Sequence, residues 1–174
     1  MTPESDLLSI DLDGRTIQIE YRLINADLKP APLLIFLHEG LGSVTMWRDF
    51  PDQLCAAGGF RGLVYSRPGY GRSAQRPAKE SWNPDFMHRQ ARQVLPAVLA
   101  ALRIDTAEQA VYLFGHSDGG SIALLYASVH PNIAKGLIVL APHIFVEDIS
   151  ISSIEAARRS YEQGKLRQGL SRYH

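Results

Sequence analysis

Ser117 is the side chain whose surroundings best suit nucleophilic chemistry in this sequence. It is the centre of a Gly-x-Ser-x-Gly pattern at residues 115–119, directly after the apolar run 110–114. A serine hydroxyl becomes a useful nucleophile only when a neighbouring base accepts its proton. The following residues predict a helix that begins at Asp118, whose free N–H groups could stabilise developing negative charge. The pattern therefore predicts a nucleophile in a tight turn between a strand and a helix.

Two further loops follow apolar runs and could contribute to the same site. Residues 38–43 contain two glycines and come directly after the run 33–37. This loop could turn a backbone N–H towards the serine, or it could be an ordinary turn between a strand and a helix. Residues 66–73 follow the next run, and we interpret them as a structural turn rather than a pocket wall.

The elements that must position these residues follow from the hydrophobic pattern. Alternating segments at 8–12 and 16–21, around Asp13 and Gly14, predict an antiparallel hairpin. Continuous apolar runs predict parallel strands buried on both faces, and helical patterns separate them. The runs are 33–37, 62–65, 110–114 and 136–140, and the helical patterns are 46–57, 84–102 and 118–129. This alternation predicts an α/β fold with a doubly wound, mostly parallel sheet.

Beyond Pro142 the sequence predicts helices only. Residues 152–155 read Ser-Ser-Ile-Glu, a capping-box signature that predicts the start of a helix. Residues 165–173 predict a second short helix. We expect the terminal His174 to be disordered.

Composition excludes several classes of function. The 174 residues carry a formal net charge of zero, which disfavours electrostatic binding to nucleic acid or to a membrane surface. No apolar run reaches the roughly 18 residues of a membrane span. The acidic start lacks the order of a signal peptide, and the single Cys55 excludes an internal disulfide. We therefore expect a cytoplasmic protein with no nucleic-acid or membrane partner.

Taken in order, the loop 38–43, the Arg-x-Gly-x-Gly-x-Ser segment 67–73 and the turn 115–119 resemble the α/β-hydrolase family. The resemblance covers nearly all of residues 7–150. It implies that Ser117 is the nucleophile, that the backbone N–H groups of Gly40 and Asp118 form an oxyanion hole, and that His38 is structural. It implies neither a cofactor nor a metal. The sequence departs from the family at Glu39, where glycine is common, and this places a carboxylate near the site.

The family's order of catalytic residues is serine, then an acid, then a histidine. Because no strand is predicted after about residue 150, the resemblance implies the N-terminal part of a longer protein. Residues 1–145 would then be part of the hydrolase core, and residues 146–174 the start of a helical cap. His143, followed by Glu147 and Asp148, is the candidate base within the chain. Its place at the cap entrance favours the role of a loop residue.

The sequence leads to two hypotheses about function. The first is a hydrolase that cleaves an ester, amide or related bond of a small molecule through a Ser117 acyl-enzyme. Carboxylesterase-like action is the first choice, and the chain alone would be weak or inactive. The alternative is a catalytically silent fragment or pseudo-hydrolase that binds a ligand or partner. An exposed sheet edge would then favour self-association or pairing with a complementary fragment.

Overall fold

A six-stranded sheet forms the centre of the molecule. The computed structural model describes residues 4–77 and 81–174. The strands are β1 (Asp6–Leu12), β2 (Arg15–Ile24), β3 (Leu33–Leu37), β4 (Arg61–Tyr65), β5 (Val111–His116) and β6 (Ala134–Leu140). Their order is β1-β2-β4-β3-β5-β6. The hairpin β1–β2 is antiparallel and joins β4 in antiparallel fashion, whereas β3 to β6 are parallel to one another.

Helices cover both faces of the sheet. They are α1 (Phe50–Gly58), α2 (Phe86–Arg89), α3 (Leu95–Ala101), α4 (Asp118–Val129), α5 (Asp148–Glu162) and α6 (Lys165–Leu170). Buried side chains of α3 and α4 pack on one face, and α1 packs on the other through Cys55. All residues of β3 and β4 are buried, as the apolar runs 33–37 and 62–65 predict. The predicted doubly wound α/β fold is therefore confirmed.

Two of the predicted helices are interrupted. The segment 46–57 is a 3₁₀ turn at Thr45–Trp47 followed by α1, because Arg48 between them has a φ of 53°. In the segment 84–102, a π-helical turn at Gln90–Val94 separates α2 from α3. Pro96 follows this turn, and a proline ring clashes with the carbonyl group four residues earlier. The wider turn gives that ring room.

The capping-box prediction at residues 152–155 is wrong. Helix α5 begins four residues earlier at Asp148, and the residue that precedes it, Glu147, is extended. An aspartate in the first turn interacts favourably with the helix dipole. Ser152 lies inside the helix, where its hydroxyl donates to the carbonyl oxygen of Ile149 at 3.0 Å. Helix α6 begins after Gly164, whose φ of 87° allows the sharp turn between the two helices.

Strand β6 lies at one edge of the sheet. Of the described strands, only β5 pairs with it. Leu137 and Val139 pack against the core, whereas Ile138 and Leu140 are 45% and 47% exposed on the other face. Among the described residues, no helix has the length and apolar character needed to cross a membrane.

Candidate active site

Ser117 occupies a strained turn between β5 and α4. Its φ is 53° and its ψ is −118°, a backbone conformation that is costly for any residue with a side chain. Its N–H donates to the carbonyl oxygen of Leu140 at 2.8 Å, which fixes the turn to the end of β6. A Cβ on Gly115 would lie 2.6 Å from the backbone nitrogen of Gly120, and one on Gly119 would overlap the carbonyl group of Leu37. Both glycines are therefore required for the close approach of α4 to the sheet.

His143 is the residue that contacts the Ser117 hydroxyl. Its Nε2 lies 2.9 Å from Ser117 Oγ. Sequence reasoning favours a loop role for His143 and does not foresee this contact. The order of the strands could have indicated this contact. β5 and β6 are neighbouring parallel strands, and residues beyond their carboxyl ends meet at one edge of the sheet.

Ser121 on α4 holds the backbone of His143 at both polar groups. The N–H of His143 donates to Ser121 Oγ at 2.8 Å, and Ser121 Oγ donates to the carbonyl oxygen of His143 at 3.2 Å. Ser121 is buried, so these bonds are shielded from water. Sequence reasoning missed this residue, although it lies one helical turn beyond Ser117 and so faces the same side.

The carboxylate near His143 belongs to Asp118. Asp118 Oδ1 lies 3.6 Å from His143 Nε2, and Oδ2 lies 3.5 Å from Nη1 of the buried Arg67. In the described part of the chain, Glu147 and Asp148 make no ion pair or hydrogen bond with His143. Asp118 approaches the same ring nitrogen as Ser117. Its carboxylate can therefore stabilise an imidazolium but does not orient the ring through Nδ1.

The loop after β3 is fixed by His38 and Arg67. His38 Nδ1 donates to the carbonyl oxygen of Glu39 at 2.7 Å, and Arg67 Nη2 donates to the same oxygen at 2.8 Å. The N–H of Arg67 donates to His38 Nε2 at 3.0 Å, which requires a neutral imidazole. Burial, reinforced by the neighbouring Arg67 charge, lowers the pKa of His38 well below 6.5. The structure thus places His38 in a supporting position beneath the loop that leads to Gly40.

Gly40 and Asp118 lie on the wall of a 330 Å³ cavity that also contains Ser117 and His143. A Cβ on Gly40 would lie 3.3 Å from Asp118 Oδ2, so the two loops approach closely. Neither the N–H of Gly40 nor that of Asp118 donates to another group within residues 4–77 and 81–174. Both are thus available to a ligand. Ile149 and Ile154 of α5 form the opposite wall.

The turn 66–73 is held by a buried carboxylate. Ser66 Oγ donates to Glu20 Oε2 at 2.7 Å and accepts the N–H of Val44 at 2.9 Å. Ser73 Oγ donates to the carbonyl oxygen of Ser66 at 2.6 Å. These bonds join β2 to the loops after β3 and β4, as expected of a structural turn, but Gly69 and Tyr70 of the same segment also line a cavity.

His174 is ordered, contrary to expectation. Its Nδ1 accepts the N–H of Gly71 at 2.9 Å, and its Nε2 donates to the carbonyl oxygen of Leu41 at 2.9 Å. A neutral imidazole satisfies both bonds. Two loops of the core thereby hold the end of the chain.

The described residues offer little for thiol or metal chemistry. Cys55 is free and buried, and burial raises the pKa of its thiol to about 11. The reactive thiolate is therefore scarce at neutral pH. No group of three or more His, Cys, Asp or Glu side chains in the described ranges is arranged to hold a metal ion.

Comparison with known proteins supports the same family. The family model described as alpha/beta hydrolase fold matches residues 32–162. A proline iminopeptidase of Levilactobacillus brevis is 32% identical over 112 residues, covering 64% of this chain and 35% of that protein. The sn-1-specific diacylglycerol lipase ABHD11 of Mus musculus is 27% identical, covering 74% of this chain and 38% of that protein. The chain thus spans little more than a third of the length of these relatives.

Solved structures share the fold. One, from work on carboxylesterases of the ammonia-oxidizing thaumarchaeon Nitrososphaera gargenis, has a TM-score of 0.72 at 20% identity. It matches 90% of this chain and 54% of its own. A hydrolase from Pseudomonas aeruginosa has a TM-score of 0.65 at 22% identity, with 91% of this chain and 56% of its own matched.

Proposed function

Because the chain belongs to the alpha/beta hydrolase fold family, we propose that it hydrolyses esters of small molecules through an acyl-enzyme on Ser117. The observation that carries the proposal is the 2.9 Å contact between Ser117 Oγ and His143 Nε2 in a strained turn. We further propose residues 1–145 as the core part of the hydrolase and residues 146–174 as the beginning of its cap.

In the acylation step, Ser117 Oγ attacks the carbonyl carbon of the ester while His143 Nε2 accepts the hydroxyl proton. The carbonyl oxygen gains negative charge and receives hydrogen bonds from the N–H groups of Gly40 and Asp118. The Asp118 carboxylate, 3.6 Å from His143 Nε2, stabilises the imidazolium that forms. Arg67, held beneath the loop, keeps that carboxylate in place through a 3.5 Å contact between its Nη1 and Asp118 Oδ2.

The intermediate collapses when the bond between the carbonyl carbon and the leaving oxygen breaks. The alcohol leaves with the proton from His143, and the acyl group stays on Ser117. A water molecule then attacks the acyl carbon and gives its proton to His143. The carboxylic acid departs, and the proton returns to Ser117 Oγ.

Turnover by the 174-residue chain should be slow. In a complete triad an acid holds the Nδ1–H of the histidine, and loss of that acid costs roughly 10⁴-fold in rate. Within the described residues, His143 Nδ1 has no hydrogen-bond partner. We therefore expect the nucleophile to be acylated, with weak steady-state hydrolysis.

We propose esters rather than amides as substrates, because an alkoxide leaves more readily than an amine when proton delivery is poorly oriented. The relatives named a lipase and a proline iminopeptidase represent both bond types. We also propose a cytoplasmic location.

Labelling with a fluorophosphonate probe tests the proposal directly. The 174-residue chain is incubated with probe, the modified peptide is identified by mass spectrometry, and 4-nitrophenyl acetate hydrolysis is followed in parallel. We expect modification at Ser117, none in Ser117→Ala, and at least roughly hundredfold slower labelling in His143→Gln. Glutamine retains a hydrogen-bonding group but cannot accept the proton.

Ser153→Ala is the matched control, because Ser153 lines the same cavity from α5 and is exposed. It should label at the rate of the unmodified chain. Absence of labelling in a chain shown by circular dichroism to be folded would refute the nucleophile. Unchanged labelling in His143→Gln would refute the base.

A further inference from the structure

A second and larger cavity, here called the remote cleft, opens between the helices α5 and α6 and the loops that follow β3 and β4. Its volume is 670 Å³. This size lies within the range of small-molecule sites. Its lining includes the side chains of Leu41, Tyr70, Arg76, Trp82, Tyr161 and Arg167.

The charged side chains among the described residues of the remote cleft are all basic. Arg76 and Arg167 both line it, and none of the described lining residues is acidic. Neither guanidinium forms an ion pair with a carboxylate in the described part of the chain. Arg76 lies over the ring of Trp82, 5.7 Å from its centre, so its plane is supported by an aromatic face. Among the described residues neither group has a carboxylate partner, and guanidinium groups are well suited to bind the carboxylate of a ligand.

The rest of the lining is apolar and exposed to solvent. Leu41 is 43% exposed, Trp82 38% and Tyr161 47%. A ligand with an apolar body would cover part of this surface and gain free energy from its removal from water. Charge and apolar area together favour an organic anion over an inorganic one.

The remote cleft and the active-site cavity are lined by nearby residues of the same two segments. Gly40 lines the active-site cavity, and the next residue, Leu41, lines the remote cleft. On α5, Ile154 faces the active-site cavity and Tyr161 faces the cleft. Seven residues of α-helix separate these two positions, which corresponds to roughly 10 Å at 1.5 Å per residue. One extended molecule can therefore reach both cavities.

We propose that the remote cleft binds the carboxylate of a small organic anion with an apolar body, on Arg76 and Arg167. This inference rests on the proposed function in one respect. It identifies the anion as the end of the ester substrate that lies farthest from the bond attacked by Ser117.

Binding is tested first, without reference to catalysis. Calorimetric titrations of the Ser117→Ala chain compare 4-phenylbutyrate with its neutral analogue 4-phenylbutanamide. We expect the carboxylate to bind about tenfold more tightly, and this preference to disappear when Arg76→Gln and Arg167→Gln are combined. The combination of Arg158→Gln and Arg159→Gln is the matched control, because these two α5 arginines are exposed, pair with Glu162 and Glu155, and lie outside the cleft.

Equal binding of the two compounds would overturn the inference. An equal loss of the preference when Arg158→Gln and Arg159→Gln are combined would also overturn it, because net charge rather than the cleft would then be responsible. Fluorophosphonate labelling of the unmodified chain, compared with the anion preference of the Ser117→Ala chain, keeps the two proposals apart. Labelling without anion preference defeats the cleft alone, whereas anion preference without labelling defeats the proposed function and supports the cleft.

Hydrolysis then tests whether the anion is the far end of the substrate. The mono-4-nitrophenyl ester of suberic acid is compared with 4-nitrophenyl octanoate, which has the same chain length and no charge. We expect a KM about tenfold lower for the suberate ester and a similar kcat, with the difference lost in the double variant. Equal KM values would overturn the link between the two cavities.

Discussion

At the scale of single residues, the position of His143 depends on one buried hydroxyl. Ser121 satisfies both the N–H and the carbonyl group of His143, so its removal leaves two backbone groups without these partners. In Ser121→Ala we expect fluorophosphonate labelling of Ser117 to slow by about tenfold and the free energy of unfolding to fall by about 1–2 kcal/mol.

The control for this prediction is Ser128→Ala on the same helix. Ser128 is exposed, and its hydroxyl donates to the carbonyl oxygen of Leu125 within α4. The labelling rate and the stability should both be nearly unchanged there. If Ser121→Ala labels as fast as the unmodified chain, then Ser121 does not position His143.

His38 makes stability depend on pH. Burial lowers its pKa in the folded state below the ordinary value of 6.5, so the unfolded chain binds a proton more readily. Stability conferred by the neutral ring is therefore fully present above pH 6.5 and is lost as the pH falls towards the folded-state pKa. Below pH 6.5 the free energy of unfolding should decline by up to about 1.4 kcal/mol per pH unit from this group.

Urea unfolding at pH 7 and pH 5 measures this effect. The difference in unfolding free energy between the two pH values should be smaller in His38→Gln, which retains hydrogen-bonding groups without the titration. His88→Gln serves as the control, because His88 is exposed on α2. An equal pH dependence in His38→Gln and the unmodified chain would contradict the argument.

At the scale of elements, the contact between α4 and the sheet rests on Gly119. A Cβ at this position would overlap the carbonyl group of Leu37, and neither backbone can move without disturbing β3. We expect Gly119→Ala to destabilise the fold by about 3 kcal/mol or more, with loss of Ser117 labelling.

Gly169→Ala is the matched substitution for this test. Gly169 lies in α6, and a Cβ there meets nothing within 4 Å. Alanine should be neutral or stabilising by up to about 1 kcal/mol, since it favours the helix. Thermal unfolding of both variants decides the question, and similar melting temperatures would contradict the packing argument.

The elements that the sequence predicts well are those whose surroundings are uniform. β3 is apolar throughout because helices cover both faces, and α4 begins at the residue after Ser117, where the turn demands it. The π-helical turn before Pro96 and the early start of α5 at Asp148 depend on local backbone adjustment, which hydrophobic periodicity does not report. In the site, Ser117 follows from its pattern, whereas Ser121 and His143 meet only through tertiary structure.

At the scale of the whole molecule, the two edge strands of the sheet have different surroundings. β1 forms one edge, and β6, a member of the parallel part of the sheet, forms the other. Near β6, Ile144 is 68% exposed and Val146 is 82% exposed. A strand edge that no other described strand pairs with, beside exposed apolar side chains, favours pairing with another chain.

We therefore expect the 174-residue chain to self-associate through β6, and lysine substitutions at Ile138 and Leu140 to weaken that association. Lysine on an edge strand opposes pairing because its charge must stay in water. Sedimentation velocity over a wide range of concentration measures the effect.

Leu7→Lys, which places the same charge at a 44% exposed position of β1, is the control and should leave association unchanged. A chain that remains monomeric throughout, or an equal effect of Leu7→Lys, would show that β6 is not the contact. In that case Ile138 and Leu140 would be exposed to water without mediating association. The alternative hypothesis of a binding module would then have no contact surface at β6.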